Sequence, residues 1–462
     1  MMLKMKKFVA VMTSVVMTAG LLSGCASAGG SGSAAAPAAE PEAVQETTEA
    51  APAEDAEAEA VEAEAPADGE VVELTYWSWN TEDYVLPELF EKFNASQDRI
   101  HVTYNSMPSG DGDEDYIEKL QLLLSSGGDL DFFGLKNVAQ YCLFADRNML
   151  LPLSSYMDES GYDISTIGAL ESMVNFNDEY YGLPYSTSAW SLFYNRDIFD
   201  AEGIPYPEQL TWQEFADLAQ KLTKVRDDGT KQWGTLGVAI SANDTAFYAI
   251  QMGESLADDE IPHFKDGLDI MDQLFFTKQS TVSLAEMDAM GGGANMMFPN
   301  GEVAMLLAGT FLLSILDAHG ENVNYDVAPM PIPDGCEPGT TMANTSLVCA
   351  SSKTKHPKEV FEVMSFMASE AASEDFAAKG YFPVVFTDNA KTIFRERYPD
   401  INVDVYFNGN AYSEFPVHVR SNDLVECAKK NVQLWLYGEM TKEEALEAFE
   451  KERKEILSDS GS

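Results

Sequence analysis

The amino-acid sequence predicts an α/β protein with two domains. From residue 71 onward, segments of strand character alternate with segments of helical period, which is typical of α/β layers joined by crossover connections. This part of the chain is about 390 residues long, and one hydrophobic core rarely serves so many residues. Its composition also changes at this point, since aromatic, Met and β-branched residues appear together from residue 71 onward.

Residues 1–24 have the features of a signal peptide. Three lysines at positions 4, 6 and 7 precede the mostly apolar stretch 8–22, which is too short and too polar to span a bilayer. The stretch ends in Leu22-Ser23-Gly24-Cys25, which resembles the bacterial lipobox, in which the cysteine is diacylated and becomes the first mature residue. We expect cleavage before Cys25, acyl chains such as palmitate on Cys25, and anchoring at the extracellular face of the cell membrane. The alternative is an ordinary signal peptide with a chance cysteine.

Residues 25–70 predict a disordered acidic tether that begins at the lipidated Cys25. Between positions 26 and 70 the chain carries twelve acidic residues and no Lys, Arg or aromatic residue. Such a segment has too few large apolar side chains to form a core, and its negative charges repel one another. Its random-coil reach is on the order of 40 Å, enough to separate a folded domain from the membrane. A spacer without a tuned length is equally compatible with this composition.

The folded part is strongly acidic, which bears on its partners. The whole chain has a formal charge of −47; without the twelve tether acids and the three leader lysines, 26 basic and 64 acidic residues remain, a net charge of −38. This charge disfavours binding to nucleic acids or anionic surfaces. An acidic solute would need strong local compensation.

The cysteines and histidines do not have the spacing of a metal site. Beyond Cys25 the cysteines are Cys142, Cys336, Cys349 and Cys427, and none belongs to a CxxC pair or lies near a His at metal spacing. We therefore expect no metal and no cofactor. One or two disulfides and four free thiols are both compatible with an exported protein.

The first third of the folded part shows the strand and helix alternation most clearly. Residues 71–79 alternate apolar and polar side chains, and this pattern predicts a strand. Two further strands are predicted at 100–104 and 130–135, and two helices at 86–94 and 116–125. Pro87 suits the first turn of the earlier helix, and Gly127-Gly128 end the later one.

The remaining elements are predicted from weaker apolar and polar patterns. They are a strand at 191–194, helices at 212–222, 264–276 and 303–316, and a strand at 325–328. A helical region at 421–457 is interrupted near Gly438 and restarts at Thr441, where Thr-Lys-Glu-Glu is a capping box.

Short motifs spread over residues 71–457 carry a resemblance to a known family. Three of them are Asn195-Arg196-Asp197-Ile198-Phe199, Phe298-Pro299-Asn300-Gly301-Glu302 and Tyr325-Asp326-Val327-Ala328-Pro329. Further stretches also match the family. Along the chain they are 116–131, 181–194, 210–215, 303–311, 356–360, 380–383 and 438–445, in the order in which the family has them. Together they resemble the extracellular solute-binding proteins that include the maltose-binding protein. The chain departs from the pattern at Phe311, where many sugar binders have Trp.

The resemblance implies an α/β, two-lobed periplasmic-binding-protein-like fold, each lobe a β-sheet flanked by helices, with hinge crossings between them. We expect an N-terminal lobe of residues 71–178 plus 332–390 and a C-terminal lobe of residues 179–331 plus 391–457. The implied function is that of the extracellular substrate-binding component of an ABC importer. Such a protein would bind a carbohydrate, in particular an oligosaccharide, in the inter-lobe cleft and deliver it to the permease subunits.

A sugar offers hydroxyl groups for hydrogen bonds and apolar C–H faces for aromatic rings, so its contacts are aromatic and polar residues at loop tips. Such loops lie at the carboxyl ends of strands in open α/β sheets. The candidate ligand contacts are Trp79, Asn80, Asp83, Lys136, Asn137, Ser188, Trp190, Phe311, Asn344 and Tyr381. Packing is the competing role for Trp79, Trp190 and Phe311, and Asp83 would also suit the positive end of the following helix.

The leading hypothesis is a receptor without catalytic residues, in which the ligand stacks on Trp79 and Phe311. One alternative is a surface glycoside hydrolase, which would need two carboxyl groups roughly 5–10 Å apart across the cleft. Another alternative is a ligand sensor that reports to a histidine kinase.

Overall fold

The computed structural model describes residues 71–108, 114–126, 130–236, 245–290, 296–319, 323–407 and 409–459. The signal peptide, Cys25 and the tether lie outside the described residues, as do Gly127 and Gly128, so these predictions stay predictions. Within the described ranges no helix combines the length and the apolar character needed to cross a membrane.

The strands include both long and very short ones. Their bounds are β1 (Val72–Trp79), β2 (Ile100–Met107), β3 (Phe132–Leu135), β4 (Asn175–Phe176), β5 (Glu179–Tyr180), β6 (Gly182–Asn195), β7 (Lys224–Val225), β8 (Lys231–Thr235), β9 (Val303–Gly309), β10 (Tyr325–Pro329), β11 (Thr340–Ala350) and β12 (Asn410–Ser413).

The helices occupy most of the chain between these strands. Their bounds are α1 (Leu86–Ser96), α2 (Glu114–Ser126), α3 (Val138–Asp146), α4 (Ser154–Ser160), α5 (Arg196–Glu202), α6 (Trp212–Leu222), α7 (Phe247–Gln251), α8 (Phe264–Asp272), α9 (Leu284–Met290), α10 (Phe311–His319), α11 (Pro357–Met367), α12 (Glu370–Ala378), α13 (Asp388–Arg397), α14 (Ser421–Leu436) and α15 (Lys442–Asp459).

One large mixed sheet organises the described part of the chain. Its main path is β2-β1-β3-β11-β6-β9-β8-β7, with β10 beside β6 and β12 beside β11. β1 runs parallel to both β2 and β3, and β6 runs antiparallel to both β11 and β9. The order is not sequential, so β11 returns late in the chain to lie between β3 and β6. The α/β fold class is confirmed.

β6 joins two parts of this sheet. Residues 182–189 of this 14-residue strand pair with β11, whereas residues 190–195 pair with β9 on one side and β10 on the other. The pairing partner therefore changes between Ala189 and Trp190. The proposed boundaries of the two lobes stay a prediction.

Buried apolar residues cover both faces of the sheet. Along β1 the side chains alternate, so that Leu74 and Tyr76 pack into one cluster while Trp77 and Trp79 pack into another on the opposite face. A third cluster surrounds β9 and α6 and includes the fully buried Phe215. Successive side chains thus bury opposite faces, as expected for a sheet covered by helices on both sides.

Several predicted elements agree closely with the structure, and one is wrong. α6 begins and ends at the predicted residues, and Thr211 and Glu214 form a capping box at its start. The predicted helix at 303–316 is instead β9 followed by α10. Every residue of β9 is buried between β6 and β8. A strand that is covered on both faces is apolar at every position, so its sequence lacks the alternation of apolar and polar residues that identifies a strand. Such a continuous apolar run cannot be told from a buried helix by its hydrophobic pattern.

The four cysteines of the folded part are free thiols. Cys142, Cys349 and Cys427 are buried, and Cys336 is partly buried. Burial raises the pKa of the Cys142 thiol to about 12, so it stays protonated and unreactive at neutral pH. Of the two arrangements that the sequence allowed, the structure has the free thiols.

Candidate functional site

A cavity of about 700 Å³ lies where several strands of the large sheet end or change partners. Trp79 ends β1, Lys136 follows β3, and Phe311 begins the helix that follows β9. The lining residues are Trp79, Thr81, Tyr84, Lys136, Asn137, Ser186, Thr187, Ser188, Trp190, Thr310, Phe311, Ser314, Ile315, Asn344, Ser346, Gly380, Tyr381, Phe382, Glu414 and Phe415.

A second cavity of about 710 Å³ lies elsewhere, near Asn195 and Pro299, but its lining contains no aromatic residue. Its lining side chains include four acidic and two basic residues. The cavity at Trp79 instead combines aromatic rings with hydroxyl and amide groups, which is typical of sites for small organic ligands. We therefore take the cavity at Trp79 as the candidate site.

Most of the residues singled out in the sequence lie around this cavity. Eight of the ten candidates line it: Trp79, Lys136, Asn137, Ser188, Trp190, Phe311, Asn344 and Tyr381. Their shared location supports the expectation that loops at strand ends meet at one edge of the sheet. Ligand contact by each of them stays a prediction.

Asn80 and Asp83 are not among the lining residues. Asp83 instead accepts hydrogen bonds from the Tyr104 hydroxyl at 2.9 Å and from the Ser106 hydroxyl at 3.3 Å. Asn80 begins a 3₁₀ turn, Asn80–Glu82, directly after β1. Within and just after this turn, Thr81 and Tyr84 line the cavity, whereas Asn80 and Asp83 do not.

Two aromatic rings present large exposed surfaces to the cavity. Phe311 is 54% exposed and Tyr84 is 48% exposed. Trp79 is only 5% exposed, because it packs edge-on against Tyr116 and lies 5.2 Å beneath the ammonium group of Lys136. Little of the Trp79 ring is left for a ligand. The burial therefore disagrees with the hypothesis that a ligand stacks on Trp79, and it favours Phe311 and Tyr84 as the stacking surfaces.

The position of Phe311 depends on the glycine before it in the Gly-Thr-Phe motif. A Cβ atom at Gly309 would lie 2.8 Å from the Phe311 ring and 2.6 Å from the Ser188 hydroxyl. A side chain at this position would therefore collide with two lining residues. Gly309 allows β9 to end close to both of them.

The polar lining residues form defined hydrogen bonds across distant segments. The Asn344 amide donates to the backbone carbonyl of Lys136 at 2.9 Å, and the Trp190 indole N–H donates to the buried Glu414 carboxylate at 2.6 Å. The Asn344 Oδ1 atom is buried and accepts no hydrogen bond within the described residues. An unsatisfied buried acceptor is costly to the folded state.

Directly behind the lining lies a fully buried carboxyl group, that of Glu82. It accepts hydrogen bonds from the Ser78 hydroxyl, from the Tyr185 hydroxyl at 2.5 Å and from the Tyr381 hydroxyl at 2.7 Å. Burial raises the pKa of Glu82 from its usual 4.5 to about 7, although the three hydrogen bonds and the nearby Lys136 charge oppose the rise. This carboxyl group is neutral or charged depending on pH near neutrality.

Several lining residues are not among the ten predicted from the sequence. They include Tyr84, Phe382, Glu414 and Phe415. Tyr84 lies in a loop five residues after Trp79, so its position beyond an aromatic strand end was a usable signal. Glu414 and Phe415 follow β12, a four-residue strand whose pairing with β11 has no periodic signature in the sequence.

Comparison with known proteins identifies the family. The sequence profile of the bacterial extracellular solute-binding protein family matches residues 77–374. This match spans well over half of the chain. The chain belongs to this family. The resemblance found in the motifs is thus confirmed, and so is the prediction of a binding protein that is not an enzyme. The glycoside hydrolase alternative has no support in the family.

Individual relatives are distant but cover most of the chain. The sn-glycerol-3-phosphate-binding periplasmic protein of Rhizobium meliloti is 23% identical over 353 residues, which cover 71% of this chain and 79% of that protein. A sugar transporter structure from Rhizobium etli, in an open conformation, is 22% identical with a TM-score of 0.74 over 83% of this chain and 99% of the other. An ABC substrate-binding protein of Listeria monocytogenes in complex with cycloalternan is 22% identical with a TM-score of 0.71, covering 84% of this chain and all of the other. These structures match the two-lobed α/β fold.

Proposed function

We propose that the cavity at Trp79 binds a carbohydrate. The observation that carries this proposal is the pair of exposed rings, Phe311 and Tyr84, in a cavity otherwise lined by hydroxyl, amide and indole groups. Aromatic faces pack against the C–H faces of a sugar ring, and the polar groups satisfy its hydroxyls.

The charges around the cavity favour an uncharged ligand. One relative is named for binding sn-glycerol-3-phosphate, so a phosphate ester is the natural competing ligand class. The lining holds a single lysine, Lys136, and also the carboxylate of Glu414. A phosphate dianion would need several donors of positive charge, and the net charge of −38 outside the leader and tether adds repulsion.

The size of the cavity favours an oligosaccharide. At about 700 Å³ it lies in the upper half of the range of roughly 300–1,000 Å³ that is usual for small-molecule sites. Two of the similar solved structures hold cycloalternan and mannotriose. A ligand of two or more sugar units would fill this volume better than a single one.

The proposed cellular role is delivery of this carbohydrate to an ABC permease. One similar structure is described as an ABC substrate-binding protein and another as a sugar transporter. In this proposal the lobes are residues 71–178 plus 332–390 and residues 179–331 plus 391–457, and they close on the ligand. Lipid on Cys25 and the acidic tether of residues 25–70 would hold the receptor at the extracellular face of the membrane near its permease.

A binding screen tests the ligand class. Purified protein is mixed with maltotriose, mannotriose, cellotriose, the matching monosaccharides and glycerol 3-phosphate, and thermal shift and titration calorimetry are measured. We expect stoichiometric binding of at least one neutral trisaccharide, a rise in melting temperature and no hydrolysis products. Preference for glycerol 3-phosphate, or release of smaller sugars, would contradict the proposal.

A matched pair of Phe variants tests the site. Removing the ring in Phe311→Ala should weaken trisaccharide binding by about 1–2 kcal/mol, roughly 5- to 30-fold in Kd. Phe276→Ala removes a ring of similar exposure that lies against Trp435, away from the cavity, and should leave Kd unchanged. Equal effects of the two substitutions would remove Phe311 from the binding site.

The anchor and the partner are tested in cells. Cys25→Ser should release the protein from the membrane fraction into the soluble fraction while sugar binding by the folded part is retained. Cross-linking of the wild-type protein should recover permease subunits. Recovery of a histidine kinase instead would support the sensor alternative.

A further inference from the structure

A third cavity lies behind the strands that line the candidate site. Its volume is about 240 Å³. Along β6, Ser186 and Ser188 line only the candidate site, whereas Ala189 and Ser191 line only the third cavity. Successive side chains of a strand point to opposite faces of a sheet, so the two cavities lie on opposite faces of β6.

The neighbouring strand β11 shows the same division. Asn344 and Ser346 line only the candidate site, and Thr341 lines only the third cavity. Thr187 and Trp190, both on β6, border both cavities. A single layer of strands is therefore the wall between them.

The wall of the third cavity is rich in aromatic and aliphatic side chains. Four aromatic rings contribute to it, those of Trp190, Phe386, Tyr406 and Phe407. Phe386 and Phe407 are half-buried, and their ring centroids are 5.1 Å apart. Among the described residues of this lining there is no charged side chain. Such a wall favours uncharged flat rings, which pack against aromatic side chains in offset or edge-to-face contact.

The hydroxyl groups in this wall already have partners within the protein. The Ser191 and Tyr406 hydroxyls are hydrogen-bonded to each other at 2.6 Å, and the Thr341 hydroxyl donates to the backbone carbonyl of Trp190 at 2.7 Å. The Thr187 hydroxyl donates to a backbone carbonyl of β11 at 3.2 Å. A buried water needs about two to four polar partners, and a sugar needs more. This wall therefore suits an apolar molecule better than water or a sugar.

The volume of the third cavity limits the size of a ligand. An apolar cavity of about 150 Å³ is large enough to bind benzene. The third cavity exceeds this volume, but it lies below the roughly 300 Å³ at which the range for drug-sized ligands begins. A molecule of about one or two fused rings fits between these limits.

We propose that the third cavity is a second binding site, which takes a small uncharged aromatic molecule of about one or two rings. Burial of the apolar surface of the ligand drives binding. The site does not depend on the proposed carbohydrate function, because β6 separates it from the candidate site. Both cavities can therefore be filled at the same time.

Methyl NMR of the purified protein locates the ligand. Among the described lining residues each cavity has one isoleucine, Ile167 in the third cavity and Ile315 in the candidate site. Their δ1-methyl resonances are assigned by their loss in Ile167→Val and Ile315→Val. Titration with toluene or indene should move the Ile167 resonance saturably and leave that of Ile315 in place. Benzoate is the charged match of toluene and should move neither, because the wall has no partner for a buried carboxylate.

Other outcomes of this titration would overturn the proposal. They are a shift of Ile315 with Ile167 static, which would place the probe on the exposed rings of the candidate site, no saturable shift of Ile167 with either probe, and an equal shift of Ile167 with benzoate. A trisaccharide that binds in the screen should not displace toluene, and displacement would likewise overturn the second site. If no sugar binds, the carbohydrate proposal fails while toluene and indene still test this one.

A matched pair of alanine variants tests the same cavity by filling it. Ala411 lines the cavity and pairs with Thr341, so its side chain lies on the same face. Ala411→Leu should weaken toluene binding about tenfold or more, because the added side chain takes up the volume. Ala257→Leu alters a half-buried alanine outside the lining and should leave Kd unchanged. Equal Kd values for wild type and Ala411→Leu would overturn the site. If Ala411→Leu does not fold, the Ile167 and Ile315 resonances of the wild type decide the question.

Discussion

The buried carboxyl group of Glu82 makes the stability of the protein depend on pH in an unusual direction. Its pKa is about 7 in the folded protein and near 4.5 in the unfolded chain. At pH values between 4.5 and 7, Glu82 is mostly ionised in the unfolded chain but still mostly protonated in the folded protein. In this range the folded state therefore binds more protons than the unfolded state. The contribution of Glu82 to stability is therefore fully present below pH 4.5 and lost as pH rises through 7.

The size of this effect follows from the two pKa values. One pKa unit corresponds to about 1.4 kcal/mol, so the difference between 4.5 and about 7 amounts to about 3 kcal/mol. Glu82→Gln has no proton to exchange. The free energy of unfolding of this variant, relative to wild type, should increase by about 3 kcal/mol between pH 4.5 and pH 8.

Urea unfolding followed by tryptophan fluorescence at pH 4.5, 6, 7 and 8 measures this difference. A constant loss of hydrogen bonding in the variant shifts all four values equally and does not affect their trend. Glu447→Gln, on an exposed position of α15, is the control and should show no such trend. If the difference between Glu82→Gln and wild type is the same at all four pH values, the reasoning about burial is refuted.

Three further substitutions test packing and surface charge. A Cβ atom in Gly234→Ala would lie 1.8 Å from the backbone carbonyl oxygen of Ala219, so we expect a loss of about 3 kcal/mol or more in chemical unfolding, and a loss below about 1 kcal/mol would contradict it. Gly309→Ala should displace the Phe311 ring and weaken sugar binding about tenfold by calorimetry; unchanged Kd would disprove the contact. Lys358→Ala breaks an ion pair with Glu159 whose side chains are 67% and 62% exposed. Because water screens such a pair, the free energy of unfolding measured by thermal unfolding should fall by less than about 0.5 kcal/mol. A larger loss would show that the pair is not screened by solvent.

The candidate site was predictable from the sequence in part. Trp79, Lys136, Asn137 and Phe311 follow or end strands, and the edge of a sheet brings such positions together whatever the details of packing. Asp83 is also close to a strand end, yet it faces Tyr104 and Ser106 instead of the cavity. Proximity to a strand end thus indicates the region of a residue but not the direction of its side chain.

The roles of the aromatic residues could not be ranked from the sequence. Trp79 was expected, together with Phe311, to be a stacking surface, but it is 5% exposed because Tyr116 and Lys136 cover it. Tyr84 was not singled out and is 48% exposed. Residue type sets how much apolar surface a side chain has, whereas its neighbours in space decide how much of that surface a ligand can reach.

By itself the sequence determined those features that depend on neighbours along the chain. The alternation in β1, the capping box of α6 and the order of the family motifs are of this kind, because propensity, capping and periodic burial act within one element. Only the tertiary structure decided that residues 303–309 form a strand and that Glu82 is buried among three hydroxyls. β9 pairs with β6, and the Tyr185 and Tyr381 hydroxyls reach Glu82, from segments more than 100 residues away. Burial between such segments has no local pattern.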